Sequence, residues 1–112
     1  MRIFKGHPKN LDYGGPCLVT VVRSDGSEAV LDPRNDLRNH SPDGFQWGYG
    51  GSGPAQLALA MCTYILGDDE GQRVYQDYKF AIIARLPQGM GWEISEEDLK
   101  RDIKLIFEQG SK

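Results

Sequence analysis

The spacing of apolar and polar positions divides this chain into a β-rich first third and a helical remainder. Leu18-Val19-Thr20-Val21-Val22 is a β-branched run, and Glu28-Ala29-Val30-Leu31 is a second, shorter one. Between them stands Asp25-Gly26, a pair that favours a tight hairpin because glycine accepts positive φ. Arg2-Ile3-Phe4-Lys5 alternates polar and apolar and predicts a third strand, with Gly14-Gly15-Pro16 as punctuation before Leu18. Pro33 forbids a central strand in the charged stretch from Asp32 to His40. Ser41-Pro42-Asp43-Gly44 reads as a turn with proline at its second position.

Beyond the turn the pattern changes. Ala55, Leu57, Ala58, Leu59, Ala60, Met61, Cys62, Ile65 and Leu66 surround a helix that Pro54 opens and Gly67 ends as a left-handed cap. A helix apolar on every side is a buried one. Asp68 or Asp69 is placed to cap a second helix that runs to about Leu86, where Pro87 and Gly89 stop it. Its core candidates are Val74, Tyr75, Tyr78, Ile82 and Ile83. Trp92 and Ile94 alternate with polar neighbours, as in a short edge strand. Ser95 with Asp98 three residues on resembles a capping box. The helix it opens carries Leu99, Ile103, Ile106 and Phe107 as one apolar stripe. The expected class is α+β in one domain, residues 1–112: a small antiparallel sheet of three strands plus a short edge strand, packed on about three helices.

Composition sharpens this picture more by exclusion than by assertion. With 39% apolar and 26% charged residues in 112, the chain has the makeup of a folded globular domain. The longest apolar run is too short to span a bilayer, and Met1 to Lys5 lacks the apolar core of a secretory signal, so a cytoplasmic protein without a membrane partner is expected. A net charge of −3 argues against nucleic acid as a partner. Cys17 and Cys62 stand apart among apolar neighbours and read as small buried hydrophobes. No zinc-like Cys/His spacing occurs, and neither a metal nor a cofactor is expected.

The segment from Phe45 to Gln56 departs from an ordinary loop. Phe45, Trp47 and Tyr49 interleave with Gly48, Gly50, Gly51 and Gly53 directly before the buried helix. Such glycines supply positive φ or close backbone approach. In one reading the aromatic rings fold back over the helix as core. In the other, the helix start with its partial positive charge holds an anion or carbonyl, and the rings stack on a flat group such as a nucleobase. The ligand-binding candidates are His40, Phe45, Trp47, Tyr49, Gly50, Gly51, Ser52, Gly53 and Gln56. No Lys or Arg lies between residues 41 and 72, so a site for an anion must draw its cation from Arg34, Arg38, Arg73 or Lys79.

Better-known signatures fail on context. Gly48-Tyr49-Gly50-Gly51-Ser52-Gly53 satisfies G-x-G-x-x-G as a string, but Pro54 follows it and a helical hairpin succeeds it. Pro54 stands where a P-loop needs lysine and where a nucleophile elbow needs glycine. Ser52, His40 and Asp43 can be written as a triad, and Asp68-Asp69-Glu70 as a cation site. A helix start favours acids without any metal.

The run His40-Ser41-Pro42-Asp43-Gly44-Phe45 through Trp47-Gly48-Tyr49-Gly50-Gly51-Ser52-Gly53-Pro54-Ala55-Gln56-Leu57-Ala58 resembles a family of small domains of unknown function from bacteria, archaea, phages and plasmids. Gly67-Asp68-Asp69, Tyr75 to Lys79 and Ala84-Arg85-Leu86-Pro87 extend the resemblance to about residues 18–110. It implies a mobile-element setting, where small proteins often act by binding, and it carries no activity with it. The expectation is a non-catalytic binding domain for a nucleotide-like or other small anionic ligand at the loop. The alternative is a protein–protein interaction module such as an inhibitor of a host enzyme, and a small hydrolase using Ser52 or the acids Asp68, Asp69 and Glu70 ranks below both. Oligomeric state is left open.

Overall fold

A computed structural model describes residues 2–8, 17–41 and 44–110. Its elements are β1 (Ile3–His7), β2 (Leu18–Val22), β3 (Glu28–Val30), α1 (Ser52–Leu66), α2 (Asp68–Ala81), a 3-10 turn (Ile83–Arg85), β4 (Trp92–Ser95) and α3 (Glu96–Gly110). The strands form one antiparallel sheet in the order β3-β2-β1-β4, so the expected α+β class, strand count and helix count hold. The predicted punctuation at Gly14-Gly15-Pro16 and the centre of the turn at Pro42-Asp43 lie outside the described residues.

Alternation decides which face of the sheet is wet. Phe4 pairs with Val21 on one side and Ile94 on the other, and all three are buried with Val19 against the helices. The β2–β3 hairpin closes on Gly26 (φ +86°): the Arg23 N–H donates to the Ser27 carbonyl, the Arg23 carbonyl accepts from the Gly26 N–H, and Asp25 accepts from the Ser27 N–H. Helix α1 is enclosed as its composition requires: every residue from Gly53 to Thr63 is buried. Gly71 of α2 lies against Thr63, and Phe80 lies beside Gly50. The two helices therefore run antiparallel, with the end of α2 beside the start of α1.

Several boundaries differ from expectation. Gly67 has positive φ (90°) but an extended ψ (167°), so it is not the left-handed cap expected. It closes α1 through its N–H on the Thr63 carbonyl and is itself the N-cap of α2. Asp68, Asp69 and Glu70 thus fall in the first turn, where the helix dipole favours them, and not at the cap. Helix α2 stops at Ala81, short of Leu86, because Ile82 (φ −120°, ψ −60°) turns the chain into the 3-10 turn and seats Ile83 in the core. The Ile83 carbonyl is then free to accept from Gly48. The capping box forms as predicted: Ser95 Oγ accepts from the Asp98 N–H at 3.1 Å, and Asp98 accepts from the Ser95 N–H at 3.4 Å. Of the α3 stripe, Leu99 and Ile103 are buried and Ile106 is partly so, while Phe107 is exposed at the rim. Cys17 and Cys62 are both free thiols, and burial pushes the Cys62 thiol well up. No helix among the described residues is long and apolar enough to cross a membrane.

Candidate functional site

The loop before α1 turns some of its aromatic residues inward and others outward. Phe45 is buried and bridges to Cys17, which ties the loop's first residue to the lead-in of β2. Trp47 is 3% exposed. Its indole meets Trp92 edge to face at 5.5 Å, and its Nε1 donates to the Met90 carbonyl at 3.0 Å. A buried tryptophan needs such an acceptor for its N–H. Gly48 then reverses the chain at φ +87°, with its N–H on the Ile83 carbonyl at 3.1 Å. A side chain there would sit 2.9 Å from the Leu86 carbonyl, so both backbone angle and space call for glycine.

Past Gly48 the loop faces outward. Tyr49 is 38% exposed, lays its ring on the α-carbon of Gly51, and donates its hydroxyl to the Gln46 carboxamide. Gln46 in turn rests on Gly53: a β-carbon at 53 would lie 2.7 Å from the Gln46 Cβ and 3.2 Å from its backbone N. Close approach at the helix start is therefore real, and it is made by the loop's own residues. The N-cap, Gly51, offers no side-chain cap, and no acid stands in the first turn of α1. Gly50 and Ser52 are exposed, and Gly50 adjoins the ring of Phe80, itself 60% exposed on α2.

Lys79 reaches the same Phe80 ring. Its ammonium lies 3.9 Å over the Phe80 ring while the residue is only 7% exposed. It makes no ion pair among the described residues. The antiparallel hairpin thus brings one of the four named cations to a segment that has none of its own. Arg34, by contrast, is committed elsewhere: its guanidinium holds Asp68 through two bonds of 2.9 and 3.0 Å and holds Asp36 as well. That guanidinium keeps both carboxyls below the usual carboxylate range.

Gln56 and His40 have other tasks. Gln56 is fully buried; its carbonyl accepts from the backbone N–H groups of His40 (2.8 Å) and Ser41 (3.1 Å). Its amide donates to the Pro33 and Arg38 carbonyls. Every hydrogen-bonding position of the carboxamide is filled. The His40 ring meets the Tyr75 hydroxyl at 2.8 Å and packs on that ring, so among the described residues it is not joined to Ser52. Asp43 lies outside the described residues. No group of three His, Cys, Asp or Glu among the described residues is placed to hold a metal.

Of the nine candidates, the structure gathers Tyr49, Gly50, Gly51 and Ser52 at one accessible edge. It draws Phe45, Trp47, Gly53 and Gln56 into the interior and docks His40 on α2. Phe80 gave no signal in the sequence, because an apolar residue inside α2 reads as core until the packing turns it outward.

Fold and loop together define a small α+β domain that presents a glycine- and tyrosine-bearing edge at the start of a buried helix. Residues 14–105 match the model of a family of unknown function, DUF6166, and the chain belongs to that family. Comparison with curated proteins gave no match. Comparison with solved structures gave none either.

Proposed function

We propose that the protein is a non-catalytic binding domain for a small anionic ligand with a flat, nucleotide-like group, held where Tyr49, Gly50 and Ser52 meet Lys79 and Phe80. Lys79 is the observation that carries this reading. Its stem is buried and its ammonium, over the Phe80 ring, has no carboxylate partner among the described residues, so an incoming anion would supply the missing countercharge. The uncapped start of α1 adds partial positive charge on the same side of the hairpin. The exposed Phe80 ring offers a flat face for a base or similar group. Gln46 and Tyr49 cover the helix start itself, so the ligand lies beside their clasp, not beneath it.

The test is a thermal-shift screen of nucleotides, cyclic dinucleotides and phosphorylated metabolites at fixed ionic strength. A ligand at about a hundred times its dissociation constant raises the midpoint on the order of 10 °C in a domain of this size. Lys79→Met removes the response while keeping the aliphatic stem in place. A flat panel, or an equal response in Lys79→Met, removes this reading.

A second reading rests on the exposed rings. Tyr49 and Phe80, both exposed and packed on the adjacent Gly51 and Gly50, have the character of interface anchors, which fits a protein partner. In that case Phe80→Asp abolishes complex formation with the partner and Lys79→Met weakens it less.

A further inference from the structure

A separate hollow lies at the sheet end where β1 begins and β2 ends, lined by Arg2, Arg23, Ser24, Asp25, Tyr64 and Glu96. Its volume is about 620 Å³. The strand register places it: Ile3 pairs with Val22, so Arg2 and Arg23 lie just past neighbouring strand ends. Like charges brought close on neighbouring strands are destabilising unless something negative stands between them.

The protein's own acids answer only part of that need. Glu96 accepts from Arg2 Nε at 2.7 Å and pairs with Lys100 at 3.1 Å, so both of its oxygens are in use. Asp25 turns one oxygen to the N–H and hydroxyl of Ser27. Those bonds from Ser27, with Arg23 a lesser contributor, hold that carboxyl below its ordinary range; the Arg23 guanidinium forms no ion pair among the described residues, and its bond to Ser27 Oγ is a long one, 3.4 Å. Arg2 is poised over the Tyr64 ring at 5.0 Å, which fixes its guanidinium plane at the wall of the hollow.

We propose that this hollow is a second binding site, for the phosphoryl group of a small molecule, gripped between the guanidinium groups of Arg2 and Arg23. Planar guanidinium forks lining one hollow can match phosphate oxygens in pairs, which an ammonium cannot do. Tyr64 borders the same space and supplies a surface for whatever the phosphoryl group is attached to. The site stands on residues that the loop before α1 does not share, so it is independent of the function proposed above.

The experiment titrates pyrophosphate into the whole chain at fixed ionic strength, with citrate as a carboxylate control. Wild type gains about 6 °C in midpoint at ten times the dissociation constant. Arg23→Gln loses that gain, Lys79→Met retains it, and Arg23→Lys, which keeps the charge without the fork, binds about tenfold more weakly. Arg23 holds the hairpin through its backbone, and among the described residues its side chain makes only the long Ser27 bond, so its variants are expected to fold. No shift in wild type, an equal shift in Arg23→Gln, or a response to citrate as large as that to pyrophosphate overturns the proposal. A shift lost only in Lys79→Met also overturns it, by moving the phosphate to the other site.

Discussion

Two segments lead up to the buried start of α1, and they are held by opposite means. Residues 32–41 are held by polar bonds: Gln56 binds four of their backbone groups, Arg34 clamps them to Asp68, and His40 meets Tyr75. Residues 45–53 are held mainly by shape, with few polar ties: Trp47 wedges against Trp92 and donates to Met90, Gly48 donates to Ile83, and Gln46 and Tyr49 rest on glycines that leave no room for a side chain. The first arrangement consumes the polar groups it uses. The second leaves outward-facing groups unengaged, which is why the accessible edge forms there and not around His40 and Gln56.

The sharpest way to break the contrast is to remove its polar half. Gln56→Leu keeps the volume but strands the His40 and Ser41 N–H groups and the Pro33 and Arg38 carbonyls. The expected loss is about 3 kcal/mol or more in urea unfolding. A loss below about 1 kcal/mol means that residues 32–41 are held by something else. Gly53→Val attacks the other half by forcing Gln46 off the helix, at roughly 2 kcal/mol with a shift in tryptophan emission as Trp47 loosens. It is therefore a poor probe of ligand binding, since it disturbs the fold first.

A finer test uses backbone angle alone. Arg34 sits at φ +58°, in the left-handed region, with its N–H on Asp32. Arg34→Gly and Arg34→Ala lose the same clamp, yet the glycine variant is expected to be the more stable by about 1 kcal/mol. Equal stabilities show that the strain is relieved in solution.

The smallest effect is with pH. Asp36 and Asp68 have folded-state pKa values lowered from their ordinary 3.8 by hydrogen bonds to Arg34. Their contribution is complete above that value and declines as pH falls through the lowered one. Amide exchange in residues 32–41 should therefore quicken below about pH 3.8. The described residues of 44–53 contain no carboxylate and should show no matching change. Acceleration in both segments together indicates global opening and removes the contrast.

Much of this architecture was legible in the order of residues. Local chemistry specified the hairpin at Asp25-Gly26, the buried α1, the capping box at Ser95 and the alternation of β4, because each depends on neighbours within a few positions. The loop's departure from an ordinary turn was visible too, in its aromatic and glycine content. What neighbours in sequence do not determine is which way a ring faces. Trp47 turned inward because Trp92, far along the chain, offers an edge and Met90 an acceptor; Tyr49, two residues on, turned outward after the reversal at Gly48.

The same holds for charge. An interval without lysine or arginine has no cation on any local reading, and only the antiparallel pairing of α1 with α2 sets Lys79 beside it. Gln56 reads in sequence as a polar residue in the first turn of a helix, open to a ligand. Burial made it the anchor of residues 33–41, because a carboxamide enclosed by backbone groups must satisfy all four of its bonds there. Short-range physics settled the elements of this protein, and long-range packing settled which of its side chains remain exposed.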